Sequence, residues 1–217
     1  LLFISNLDSF NIVNNNEKDK NPTNKDNFIL IKDSILDSTS FRIFYPKADV
    51  SIARNIFKDM QPIQVLANNT SGSGAVTFEN NLFYDVDLNT PGAVISVVAS
   101  YNLAEGIIVT KNSFMNTART ALWVGSEPGA KITAKNNWFN TTKLEDINAR
   151  IIDRNDEYSL ASVIDISGAL SQADPGTPTV NNIPTYASLT DTSANIVILQ
   201  DTTWTGTVDI TGKTVQV

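Results

Sequence analysis

Asn55-Ile56-Phe57-Lys58-Asp59, Asn81-Leu82-Phe83-Tyr84-Asp85, Asn112-Ser113-Phe114-Met115-Asn116 and Asn137-Trp138-Phe139-Asn140 share one pattern. An asparagine is followed, after one residue of any kind, by a phenylalanine, and then within two positions by Asp or Asn. Two weaker copies lie upstream, Asp8-Ser9-Phe10-Asn11 and Ser34-Ile35-Leu36-Asp37. The steps between anchors are about 26, 21, 26, 31 and 25 residues, the range in which solenoid repeats fall.

Working outward from each anchor, a short β-type segment precedes it: residues 28–31, 50–53, 75–78, 106–109 and 131–134. Apolar stretches follow several residues later, at Phe41-Arg42-Ile43-Phe44, Ile63-Gln64-Val65-Leu66, residues 93–98 and Ala121-Leu122-Trp123-Val124. Turn-rich insertions such as residues 68–74 and 125–129 separate them, and no stretch carries a helical period. Two or three short strands per coil predict an all-β fold, a right-handed parallel β-helix, rather than βαβ units. In such a solenoid, apolar side chains pile up inside. Asn55, Asn81, Asn112 and Asn137 are expected at tight corners, because Asn tolerates left-handed dihedrals and bonds nearby backbone. Stacked, they would bond one another along the axis as an amide ladder.

Composition narrows the chemistry. Among 217 residues, 16 are basic and 23 acidic, a formal charge of −7. Nucleic acid and anionic membranes need clustered Lys and Arg, so neither is expected as a partner. The chain has no Cys and no His. Disulfides, thiolate catalysis and Ser-His-Asp triads are therefore excluded, and the commonest zinc ligand is missing. A carboxylate site remains chemically open. No apolar run approaches membrane-spanning length, so no direct insertion is expected of this segment.

Residues 135–142, Lys-Asn-Asn-Trp-Phe-Asn-Thr-Thr, resemble the closing-coil motif of the pectate-lyase-like right-handed β-helix superfamily, particularly its adhesin-like surface members. Phe139 replaces the motif's second Trp and Asn140 its Gly. Residues 147–157 resemble that family's exit from the last coil. The resemblance covers about residues 28–166, with 1–27 read as an earlier coil. It implies a β-helix over 1–166. A Pro- and Gly-bearing linker is expected over 167–182, and the opening strands of a further β-rich unit over 183–217. The chain thus reads as part of a longer tandem protein.

Several site candidates follow. β-helix polysaccharide lyases hold acidic calcium clusters, and oxygen ligands crowd the loop containing Asp153, Asp156 and Glu157, which makes it the candidate Ca²⁺ site. Asp85 with Asp87, and Asp33 with Asp37, are other acidic groups, with no evident basic partner one coil away. Tyr45, Tyr84 and Tyr101 lie beside turns and are candidates for a carbohydrate-binding face, whereas Trp123 and Trp138 are expected in the core. Asn68, Asn69 and Asn140 begin Asn-x-Ser/Thr triplets, possible glycosylation sites in an exported protein. No catalytic residue and no organic cofactor are indicated.

The expected function is a non-catalytic extracellular protein of a prokaryotic cell surface: an adhesin-like stalk, or a surface-layer or filament component. Its expected partners are copies of itself, other surface components or surface carbohydrate. The alternative is a polysaccharide-active β-helix enzyme, a lyase, glycosidase or tailspike-type depolymerase. A carboxylate pair or acid cluster with a base on one lateral face would favour the enzyme. A flat Thr/Asn/Ser face would favour the structural role.

Overall fold

The computed structural model describes residues 3–5, 10–13, 28–44, 46, 49–67, 74–84, 92–100, 106–115, 120–182, 195–197 and 214–216. Three strands make each coil. The first coil has β1 (Phe3–Ser5), β2 (Phe10–Val13) and β3 (Phe28–Lys32). The second has β4 (Ile35–Asp37), β5 (Phe41–Phe44) and β6 (Asp49–Ala53), and the third β7 (Ile56–Lys58), β8 (Ile63–Ala67) and β9 (Val76–Glu79). Next come β10 (Leu82–Tyr84), β11 (Ile95–Ser100) and β12 (Ile107–Thr110), then β13 (Ser113–Phe114), β14 (Leu122–Val124) and β15 (Ile132–Thr133). The sixth turn contains helix α1 (Leu144–Asn148) and strand β16 (Ile151–Ile152).

Each strand pairs in parallel with its counterparts one coil before and after. Sheet A runs β1-β4-β7-β10-β13, sheet B β2-β5-β8-β11-β14-β16, and sheet C β3-β6-β9-β12-β15. This is an all-β parallel β-helix. A separate parallel pair, β17 (Asn195–Val197) with β18 (Thr214–Gln216), follows it.

Alternation along the short strands sends apolar residues inward. Sheet B contributes Phe41, Ile63, Ile95 and Leu122, and sheet C contributes Ile52, Phe78, Val109 and Ala134, all fully buried. Sheet A contributes the phenylalanine of every strong repeat. Phe57, Phe83, Phe114 and Phe139 stack face to face, with centroids 5.0, 4.9 and 5.3 Å apart. Leu36 holds the same column one coil earlier, paired with Phe57.

The repeat asparagines form a second column beside the rings. Asn55, Asn81, Asn112 and Asn137 have no exposed surface. The Asn55 N–H and Nδ2 both donate to Asn81 Oδ1, at 3.0 Å each. Asn81 donates likewise to Asn112 Oδ1 (2.8 and 2.9 Å), and Asn112 to Asn137 Oδ1 (2.9 and 3.0 Å). Each Nδ2 also donates to a carbonyl of sheet C in the preceding coil: Asn55 to Ile31, Asn81 to Ile52, Asn112 to Phe78 and Asn137 to Val109. Ser34 opens the column, donating its N–H to Asn55 Oδ1 at 3.0 Å.

Two details differ from the expected geometry. The left-handed corner residue is the one before each ladder residue, Ser34 and the four asparagines: Asp33, Arg54, Asn80, Lys111 and Asn136 all have φ between 52° and 58°. The ladder side chains must point inward to meet, so the preceding residue makes the bend. The early copy at Asp8 is also out of phase. Phe10 pairs with Phe41 in sheet B, while Ile4 pairs with Leu36 in the anchor column. An apolar residue flanked by small polar ones occurs in both sheets, and the first coil is longer than the spacing of the others suggested.

The coil continues beyond residue 166. Asp165 bridges to Thr133 in sheet C, Gly168 takes the left-handed corner (φ 72°), and Leu170 N–H donates to Asn137 O at 2.9 Å. The left-handed φ favours glycine there; the Asn136 side-chain oxygen lies where a Cβ would fall, but that exposed side chain is free to turn aside. Ala169 occupies the ladder position without an amide, and the column ends.

Candidate functional site

The corner from sheet C to sheet A is the same short bend in each coil, set by the asparagine column. Chain-length variation falls on the connections either side of sheet B: 38–40, 59–62, 85–94 and 115–121 leading in, and 45–48, 68–75, 101–106 and 125–131 leading out. Loops of varied length on a rigid scaffold are where binding residues concentrate. The outer face of sheet B, lying between them, is the candidate site.

Register fixes its floor. Arg42, Gln64, Ser96, Trp123 and Ile152 stand in one outward row across five coils. Phe44 and Leu66 form a partly buried apolar row beside it. A bulge interrupts β11 between Val97 and Ala99, locally increasing the twist of this face. Gly125 lies under the Trp123 ring, where a Cβ would press on both the indole and the Val98 carbonyl. Together these place one cation, one amide and one indole on a shallow lateral surface; the Ser96 hydroxyl is buried beneath it, accepting from the Ala93 N–H and donating to the Ala93 carbonyl.

Trp123 was expected in the core. It is half-buried and faces outward, because its neighbours Leu122 and Val124 take the inward positions of the same strand. Trp138 is likewise half-buried, between the inward Asn137 and Phe139. The only local signal is that Arg42 and Gln64 interrupt otherwise apolar strands; the row itself comes from the inter-coil register.

Of the three candidate tyrosines, only Tyr84 lies among the described residues. Tyr84 ends β10 on sheet A, partly buried against Ile35, Ile56 and Leu82. Tyr45 and Tyr101 follow sheet B strands but lie outside the described residues, as do Asn68, Asn69, Asp85 and Asp87. Asn140 is exposed in a left-handed turn, and Thr141 beside it donates its hydroxyl to Asp146.

The suggested calcium loop is held by its own carboxylates. Asp153 Oδ1 accepts from Asn155 N (2.7 Å) and Oδ2 from Ile164 N (2.8 Å), while Asp156 Oδ2 accepts from Asp153 N (3.0 Å). Asp153 is buried, whereas Glu157 points to solvent. Among the described residues no three His, Cys, Asp or Glu side chains are gathered to hold a metal ion. In this arrangement the loop's carboxylates serve backbone N–H groups at the end of the coil. Asp33 pairs with Arg54 across adjacent coils, and Asp37 pairs with Lys58 at 3.4 Å.

The C-terminal end of the coil is closed by α1, which buries Ile147, and by Arg150. The buried Arg150 guanidinium donates to the carbonyls of Phe139 and Phe114, the latter at 3.3 Å. Burial lowers its pKa to about 10, which still leaves it charged at neutral pH.

Asp165 pins the final corner. Its carboxylate accepts from the Ser167 N–H (3.0 Å) and pairs with Lys135 (3.1 Å). The Ser167 backbone and hydroxyl bonds, then Lys135, lower its pKa from 3.8 to about 2. A depressed carboxylate pKa stabilises the fold above the unfolded value and loses that contribution as pH falls through the folded one. The corner at 165–170 is therefore expected to loosen between about pH 4 and pH 2. Carboxyl NMR titration checks this: a midpoint near 2 is expected, and one near 3.8 would show the pin is not formed.

Among the described residues no helix is long and apolar enough to cross a membrane. No protein-family model matches this chain, and no curated protein or solved structure does so either.

Proposed function

We propose that this chain is part of a non-catalytic extracellular protein of a prokaryotic cell surface, an adhesin-like stalk or a surface-layer or filament component. We further propose that it is a divergent member of the pectate-lyase-like β-helix superfamily, and that it meets surface carbohydrate on the outer face of sheet B. The observation that carries this reading is the row Arg42-Gln64-Ser96-Trp123-Ile152, set on a stiffened coil and flanked by its variable connections. An indole offers a flat face for a sugar ring, and Gln64, which is exposed, offers both donor and acceptor. Arg42 suits a carboxylate or sulfate on an acidic glycan.

The enzymatic alternative draws less support. Glycoside hydrolysis and uronate elimination need acid or base groups set around the scissile bond, and the described row places one cation and no carboxylate there. Sheet C presents two outward rows: Leu30, Ser51, Thr77, Ile108 and Thr133, closed by Asp165, and beside it Lys32, Ala53, Glu79 and Thr110, where Glu79 is paired with Lys111 at 3.2 Å.

The test is a glycan array probed with the intact chain, alongside Trp123→Ala and Gln64→Ala. Binding of acidic glycans without cleavage is expected, weakened about tenfold or more by Trp123→Ala, which corresponds to about 1.4 kcal/mol. Release of reducing ends or unsaturated sugars would replace this proposal with the enzymatic one. Binding unaffected by either substitution would move the site off sheet B.

A further inference from the structure

Beyond Leu170 the chain turns back along the side of the solenoid that it has just completed. Thr177, buried, donates its hydroxyl to the carbonyl of Lys111 at 2.7 Å, one coil before Asn136. One coil earlier still, Asn80 Nδ2 donates to Asp174 Oδ1 (2.8 Å) and Thr177 Oγ1 (3.3 Å). The Asp174-Pro175-Gly176-Thr177 turn is preformed for this. Asp174 Oδ1 also accepts from Gly176 N (2.8 Å), and Thr177 N donates to Asp174 O (2.9 Å). Pro175 fixes its own φ within the turn. Asn136, Lys111 and Asn80 are successive left-handed corners, so the segment lies along the corner row against the direction of coiling. Residues 167–182, expected as a linker, are in this part docked on the coil.

Such a segment leaves the solenoid from its flank, two coils below the end. Tension applied from the C-terminal side then acts on the contacts of this docked segment, those of Thr177 and Asp174 among them, before it reaches a coil. These contacts are side-chain hydrogen bonds loaded one after another, whereas each coil is held by three strand pairings together with the asparagine and phenylalanine columns. We propose that residues 171–179 form a strap that tension releases, detaching from the corner row before any coil unwinds and re-docking when the load falls. Release frees about ten residues, roughly 35 Å of contour at ~3.5 Å per residue. Only the physiological source of the load rests on the surface-stalk reading; the strap rests on its own contacts.

The chain has no cysteine, so single handles are specific. The experiment is optical-tweezers pulling of the full chain between Lys32→Cys and Asn181→Cys, both at exposed positions. The expected trace has a first, reversible, low-force step of roughly 35 Å, followed by larger coil-sized steps. Adding Asp174→Ala with Thr177→Val should abolish the first step and leave the later forces unchanged. Asn80→Gly, which removes the donor from the coil side and suits the left-handed corner, should lower the force of the first step and leave the later forces unchanged, so the result does not depend on one variant folding. A first step already the size of a whole coil would overturn the proposal, as would a small step that persists at unchanged force in both variants. Neither outcome bears on glycan binding, so failure of the strap and failure of the adhesive reading are separable.

Discussion

Asn112→Ala is expected to lower the unfolding free energy by about 4 kcal/mol, measured as a shift of the denaturant midpoint. The substitution leaves the Asn81 N–H and one Asn81 Nδ2 hydrogen without their acceptor and removes the donor to Phe78 O. All of these groups are enclosed, and each orphaned buried polar group costs about 1–3 kcal/mol. Asn112→Asp separates the roles. A carboxylate still accepts from Asn81 but has nothing to give Phe78 O, and it places a charge where water does not reach. It is expected to destabilise at least as much at neutral pH and to recover partly on acidification. A loss below about 1 kcal/mol for Asn112→Ala would mean that a water molecule takes over the amide's bonds. Because coils touch only their neighbours, a defect between the fourth and fifth should also broaden the transition.

Phe83→Ala is the second large effect. Phe83 lies in the middle of the ring column, 5.0 Å from Phe57 and 4.9 Å from Phe114. Removing it costs the transfer energy of the ring and opens a cavity that flat sheets cannot readily close, about 3–5 kcal/mol. Phe83→Leu should cost under about 1.5 kcal/mol, since Leu36 already occupies this column one coil before Phe57. Calorimetry of the two variants distinguishes a column that needs apolar volume from one that needs stacked rings. Equal losses for Ala and Leu would point to the rings.

The solenoid was legible because its two internal columns are written as a spaced pair, Asn-x-Phe, which no single strand or loop requires. Copies at residues 55, 81, 112 and 137 stand in the same register in space. Legibility failed where the pair degenerates. Around Asp8 a similar polar-apolar pattern belongs to a different sheet. The bend at Gly168-Ala169-Leu170 carries no asparagine, so the spaced pair does not mark it. Trp123 was misread for another reason. In a strand of three residues, Leu122-Trp123-Val124, hydrophobicity alone does not show which side of the pleat is outside. The sheet B row emerges only when strands about 25 residues apart are laid side by side, and that register depends on loop lengths that local pattern does not supply.

The constancy of the sheet C to sheet A bend, set against connections of unequal length elsewhere, bears on how such a chain changes over generations. A coil's inner contacts are satisfied by any neighbour that offers the same amide and ring, whatever its loops. An in-frame duplication or loss of one repeat in the coding sequence therefore brings like against like at the seam and needs no compensating change. The length of the solenoid can be altered by copying, while the loops around sheet B diversify independently of the frame that carries them.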